Sequence, residues 1–122
     1  MKRAIVLFGH GSRDPAWRRP MDCVAAAIRG REPDVAVLCA FLEFSEPDLP
    51  SAVAELAQAG MTAIRVLPMF LGVGTHARAD LPKLISAAQH RCPGVEIDVA
   101  PAVGEHQEVV QLLAEIALRR TA

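Results

Sequence analysis

The sequence predicts an α/β three-layer sandwich built on a four-stranded, mainly parallel sheet. Two observations carry this. Four apolar runs alternate along the chain with four amphipathic stretches. The first three runs are almost continuously apolar, the pattern of strands covered on both faces. Right-handed crossovers then place helices on both sides of the sheet.

The first strand is RAIVLFG, from Arg3 to Gly9. Behind it Trp17, Met21, Val24, Ala25 and Ile28 recur at helical spacing. The second strand is VAVLCAFL, Val35 to Leu42, followed by a helix carrying Leu49, Val53, Leu56 and Ala57. AIRVLPMFL, Ala63 to Leu71, is the third strand, and Leu81, Leu84, Ile85 and Ala88 mark its helix. VEIDVA, Val95 to Ala100, is the fourth, and a last helix presents Val109, Leu112, Leu113 and Ile116. Gly30, Gly60 and Gly94 each follow an expected helix, where a left-handed cap or a turn is wanted, and Pro33 and Pro93 discourage continuation. No linker, repeat or low-complexity segment interrupts this order, so residues 1–122 read as one domain.

Composition narrows the function. With 13 basic against 14 acidic residues there is no positive field for a phosphate backbone, and no aromatic and basic interleaving for stacked bases, so nucleic acid is not expected as a partner. Lys2 and Arg3 precede an apolar run that ends after Phe8, too short for a signal-peptide core or a membrane span. The expected location is therefore the cytoplasm, with no membrane association. The three cysteines, Cys23, Cys39 and Cys92, form no C-x-x-C pair and read as small core residues in a reducing compartment.

In a parallel sheet the strand C-termini share one edge, and ligands bind among the loops there. His10 follows the first strand in GHGSRDP, Glu43 follows the second in FLEFSEP, and His76 follows the third in FLGVGTHARADLP. Topology alone brings two imidazoles and a carboxylate to one rim. Each has a plainer reading: Gly9 and Gly11 supply a tight turn around His10, and Glu43 is a solvated residue opening a turn. A second histidine in a second glycine-rich loop at the same edge is not required by packing, which favours a functional pair. His106, in VGEHQE after the fourth strand, stands near the same rim or serves only its own loop, whereas His90 sits where a helix dipole favours a cation. Arg13, Arg18, Arg19, Arg78 and Lys83 fall in or just after the edge loops, and their clustering favours an anionic ligand. Two imidazoles and a carboxylate suit divalent cobalt, iron, nickel or zinc and leave coordination positions open. Imidazole is also the side chain that exchanges protons near neutral pH.

GHGSRDP, AFLEFSEPDLPSAV and LPMFLGVGTHARADLPKLI, taken together in this order, make the whole chain resemble a short-form class II chelatase of the sirohydrochlorin cobaltochelatase type. The resemblance implies a chelatase-like half-unit that inserts a divalent metal, cobalt ahead of ferrous iron or nickel, into sirohydrochlorin for cobalamin or a related tetrapyrrole cofactor. It implies His10 and His76 as metal ligands and proton acceptors, and Glu43 as their acidic partner in catalysis. Ser12, Arg13 and Arg78 would meet the carboxylate-rimmed ring. The metal is a substrate, and no prosthetic group is implied. Longer members hold two such units facing each other, so this chain is expected to form a homodimer around the cleft. Two rival readings remain at this level. One is a non-catalytic metal or tetrapyrrole carrier with the same ligands. The other is a phosphoryl-transfer enzyme like the histidine phosphatases, although these require an arginine immediately before the histidine and Gly9 stands there.

Overall fold

The computed structural model describes residues 2–120; Met1, Thr121 and Ala122 of the expected 1–122 domain lie outside the described residues. The elements follow the expected alternation. Strand β1 (Arg3–Gly9) leads through a 3-10 turn, Pro15–Arg18, into helix α1 (Arg19–Arg31). Strand β2 (Ala36–Phe41) is followed by α2 (Leu49–Gln58), β3 (Ala63–Pro68) by α3 (Thr75–Arg91), and β4 (Glu96–Val99) by a 3-10 turn, Val103–Glu105, and α4 (Gln107–Leu118). The sheet order is β2-β1-β3-β4, and every pairing is parallel. The chain therefore forms the expected four-stranded sheet, with every strand parallel.

Alternate residues of each strand feed two cores. Ala4, Val6, Phe8, Ala40, Ile64 and Val66 face α2 and α3 and pack with Leu49, Val53 and Leu56. Leu7, Val37, Cys39 and Phe41 face α1 and pack on Met21 and Ala25. Both faces of the central strands are thus buried, which is why their sequences are continuously apolar. β1 lies between β2 and β3, so the loops leaving β1, β2 and β3 emerge side by side.

Several expectations need correction. β3 stops at Pro68 rather than Leu71: β1 ends at Gly9, and once the Met69 amide has bonded the Phe8 carbonyl, at 2.8 Å, no strand remains alongside. Of the three glycines expected in a left-handed cap or a turn, only Gly60 has a positive φ, 94°, and Gly94 lies in the turn after α3. Gly30 lies inside α1. α1 and α3 are capped by Glu32 and Cys92, which leave the helical conformation, φ −135° and −128°, because each precedes a proline, Pro33 or Pro93. Proline, not glycine, stops these helices. Cys39 is buried as expected, but Cys92 is half-buried and Cys23 is exposed; all are free thiols. The apolar stripe of α4 is not part of the core either. α4 packs chiefly on the turn before it and leaves Val110, Leu112, Leu113, Ile116 and Leu118 exposed. β4, at the sheet margin, exposes Glu96 and Asp98, the latter paired with Arg65. Among the described residues no helix is long and apolar enough to cross a membrane.

Candidate functional site

The loops after β1 and β2 continue the sheet's hydrogen bonding beyond the strands. The Leu42 amide donates to the Gly9 carbonyl at 2.9 Å and the Glu43 amide to the His10 carbonyl at 3.0 Å. The Ser45 hydroxyl then donates to the Ser12 carbonyl, 3.0 Å, and accepts from the Ser12 amide, 3.4 Å. This ladder explains the glycine after the histidine. Gly11 has φ 98°, and a Cβ there would lie 1.7 Å from the Glu43 carbonyl oxygen. Only glycine admits that approach. The approach fixes His10 beside Glu43, with His10 Nε2 3.1 Å from Glu43 Oε1 and both side chains half exposed. The Phe70 ring meets the imidazole edge-on, centroids 6.3 Å apart.

His76 arrives from the third loop, in the first turn of α3. His10, Leu42, Glu43, His76 and Asp80 line one cavity of about 230 Å³. The sequence-expected trio is therefore brought together, and Asp80 joins it. Asp80 was legible in principle, since it stands one helical turn beyond His76 and shares its face. Phe70 was hidden as one more apolar residue in a strand-like run. Among the described residues no three ligating groups converge closely enough to enclose a metal ion. The arrangement is an open one, in which two histidines and two carboxylates border a space too small for a large organic ligand. A groove of about 620 Å³ lined by Val73, Arg78, Leu81, Pro82, Ile85 and Val99 also draws on α3 and its leading loop.

The remaining residues separate cleanly. Ser12 holds its loop, its hydroxyl oxygen accepting from the Asp14 amide at 3.0 Å. Arg13 lies over the Phe44 ring, 4.8 Å from its centroid. Arg78 lines the groove and not the small cavity. Arg18 is committed elsewhere: it grips Asp22 with Nε 3.1 Å from Oδ2, stacks on Phe41, and has its pKa raised chiefly by the hydrogen bond to Asp22. Burial, followed by nearby Asp22, pushes the Cys39 thiol up, so it is an inert core group. His90 is exposed in the last turn of α3. His106 turns back on its own loop, Nε2 2.8 Å from the Pro101 carbonyl, and does not line the cavity.

A parallel α/β sheet with paired imidazole and carboxylate groups at its strand-end edge defines the class as an open-edge α/β protein whose candidate site lies among the strand-end loops. The CbiX family profile matches residues 4–119, and the chain belongs to the CbiX family. It is 35% identical over 97 residues to a sirohydrochlorin cobaltochelatase of Methanosarcina barkeri, covering 80% of this chain and 75% of that protein. It is 32% identical over 114 residues to a sirohydrochlorin ferrochelatase of Bacillus subtilis, covering 91% of this chain but 42% of that protein. The fold superposes with TM-score 0.79 and 29% identity on the sirohydrochlorin chelatase SirB from Bacillus subtilis subspecies spizizenii in complex with cobalt, covering 94% of this chain and 49% of that one.

Proposed function

We propose that this chain is a sirohydrochlorin metal chelatase, a lyase of tetrapyrrole cofactor synthesis, whose metal substrate is cobalt ahead of ferrous iron or nickel. The observation that carries the reading is the His10–Glu43 pair, Nε2 3.1 Å from Oε1, sharing one open cavity with His76. Metal insertion needs two things at one place: donors that hold a divalent ion without encapsulating it, and bases that accept two pyrrole protons as the ion enters the ring. Nitrogen and oxygen donors on an open edge meet the first need. For the second, the imidazole of His10 offers a ring nitrogen as proton acceptor, and Glu43 Oε1, 3.1 Å from Nε2, lies close enough to pair with the resulting imidazolium. His76 serves as the other metal ligand and proton acceptor. Ligand pockets usually run to roughly 300–1,000 Å³. The small cavity therefore suits the ion and ring centre, and the Arg78 groove suits the ring periphery.

Cobalt as the first choice rests on the cobaltochelatase relative, and iron stays in the set because of the ferrochelatase. Ser12, Arg13 and Arg78 are assigned to the substrate carboxylates, Ser12 through a hydroxyl hydrogen that has no acceptor among the described residues. We place the chain as one domain over 1–122, in the cytoplasm, where free thiols persist. We also propose that it works as a homodimer. One unit gathers too few donors to surround an ion, and α4 leaves five large apolar side chains, 42–83% exposed, in one helix that a second copy would cover.

The test is an absorbance time course of sirohydrochlorin with Co²⁺, Fe²⁺ or Ni²⁺ and catalytic amounts of protein. Multiple turnovers are expected. A spectral shift that stops at one equivalent would make the chain a carrier. Arg78→Ala is expected to raise KM for sirohydrochlorin by roughly three- to tenfold with kcat unchanged, as loss of one charge-assisted contact should; an unchanged KM would remove Arg78 from the ring-binding set.

A further inference from the structure

Phe44 is the one residue of the β2 edge loop whose conformation the fold does not explain. It is the centre of a three-residue γ-turn, with the Ser45 amide donating to the Glu43 carbonyl at 2.8 Å. Its φ is 65°, the left-handed region, and among the described residues it is the only non-glycine with a positive φ. A bulky side chain there costs stability that glycine would not. Nor does burial offset that cost, because the ring is 57% exposed. What the ring does have is Arg13, whose guanidinium carbon lies 4.8 Å from its centroid. Arg13 comes from the His10 loop, Phe44 directly follows Glu43, and among the described residues Arg13 has no carboxylate partner.

We infer that Phe44 is a positioning residue that presents Arg13 to a carboxylate of the substrate. An arginine stacked on an aromatic face keeps its N–H edge free in a fixed plane, the geometry that receives a carboxylate through two parallel hydrogen bonds. The γ-turn swings the ring outward from the edge loop to meet an arginine three residues beyond the catalytic histidine. Ring carboxylate and ring centre are thereby fixed relative to each other, so Phe44 selects tetrapyrroles that keep an ionised acid at that position. This rests on the sirohydrochlorin reading above and adds to it the device that registers the ring.

The experiment compares Phe44→Leu, Phe44→Gly, Phe44→Trp, Arg13→Met and the Phe44→Leu/Arg13→Met double variant. For each, KM and kcat are measured with sirohydrochlorin and Co²⁺, the dissociation constant of metal-free sirohydrochlorin is read from its fluorescence, and melting is followed by circular dichroism. Phe44→Leu is expected to raise KM and the dissociation constant roughly three- to fivefold, the worth of an exposed cation–π contact, with kcat within about twofold. Phe44→Trp restores both. Phe44→Gly melts no lower than wild type yet binds as poorly as Phe44→Leu. Once Arg13 is Met, Phe44→Leu adds nothing. If the two single effects multiply in the double variant, or Phe44→Leu leaves binding unchanged while wild type turns over, the inference falls and the proposed function stands. Wild-type protein that neither binds nor metallates sirohydrochlorin would remove both.

Discussion

The two glycine-rich loops that carry the histidines look alike in sequence and are built on different terms. In GHGS the glycines sit in close contact: a Cβ at Gly11 would strike the Glu43 backbone carbonyl, and one at Gly9 would come within 2.5 Å of Met21 Sδ, a side chain that would have to shift. In GVGTH a Cβ at Gly72 or Gly74 would meet nothing within 4 Å. The second loop is clamped at its base, where the Gly104 amide bonds the Phe70 carbonyl at 2.9 Å and a Cβ at Gly104 would lie 1.8 Å from the Leu71 carbonyl oxygen. One arm of the site is thus welded to the sheet, and the other is carried by the first turn of a helix. In the chelatase proposed above, a rigid imidazole–carboxylate pair opposite a less constrained histidine would suit a site that must release its metal on every cycle.

The comparison can be broken most severely at the imidazoles themselves. His10→Ala and His76→Ala are each expected to lower turnover by roughly a hundredfold or more while leaving the circular dichroism spectrum unchanged; wild-type rates in either variant would discard that residue's role. Gly11→Ala comes next. Inserting a methyl group against a backbone carbonyl at positive φ is expected to destabilise by about 2–4 kcal/mol and to separate His10 from Glu43. Chemical denaturation measures the first effect and turnover the second, and an unperturbed Gly11→Ala protein would show that the weld is soft.

A smaller effect is expected at Asp48, which caps α2 just beyond the same loop by accepting from the Ser51 amide at 2.9 Å. The side-chain and backbone hydrogen bonds from Ser51 hold this carboxyl below its ordinary value. Its stabilising contribution is therefore complete above the unfolded-state value, near pH ~4, and fades as pH falls through the lower folded-state value. Asp48→Ala is expected to cost about 1 kcal/mol at neutral pH, a difference from wild type that should shrink in melts taken at progressively lower pH. Gly72→Ala marks the other extreme: with open space around it, melting should shift by no more than about 0.5 kcal/mol equivalent. A large shift there would mean that the second loop is as constrained as the first.

How far the sequence reaches follows the same division. Strands buried on both faces announce themselves as apolar runs, and the parallel topology then delivers His10, Glu43 and His76 to one edge without any side-chain detail. The reason for Gly11 could not be read, because it lies in the approach of a carbonyl thirty-two residues away, from Glu43. His106 was ambiguous because position along the chain says nothing of where a ring turns, and it turns to Pro101. The stripe on α4 was visible, but periodicity reports an apolar face and not what covers it. Phe44 left no trace at all, since the backbone angle that makes it unusual is not a property of composition.

The margin of the sheet at β4 has a consequence for how copies of this chain meet. β4 is four residues long and displays Glu96 and Asp98, so a strand arriving from another molecule would find few free backbone groups and like charges to either side. Growth by strand addition, which has no natural end, is discouraged there. In the homodimer proposed above, association would fall instead to α4, where contact between two identical apolar faces would close at two.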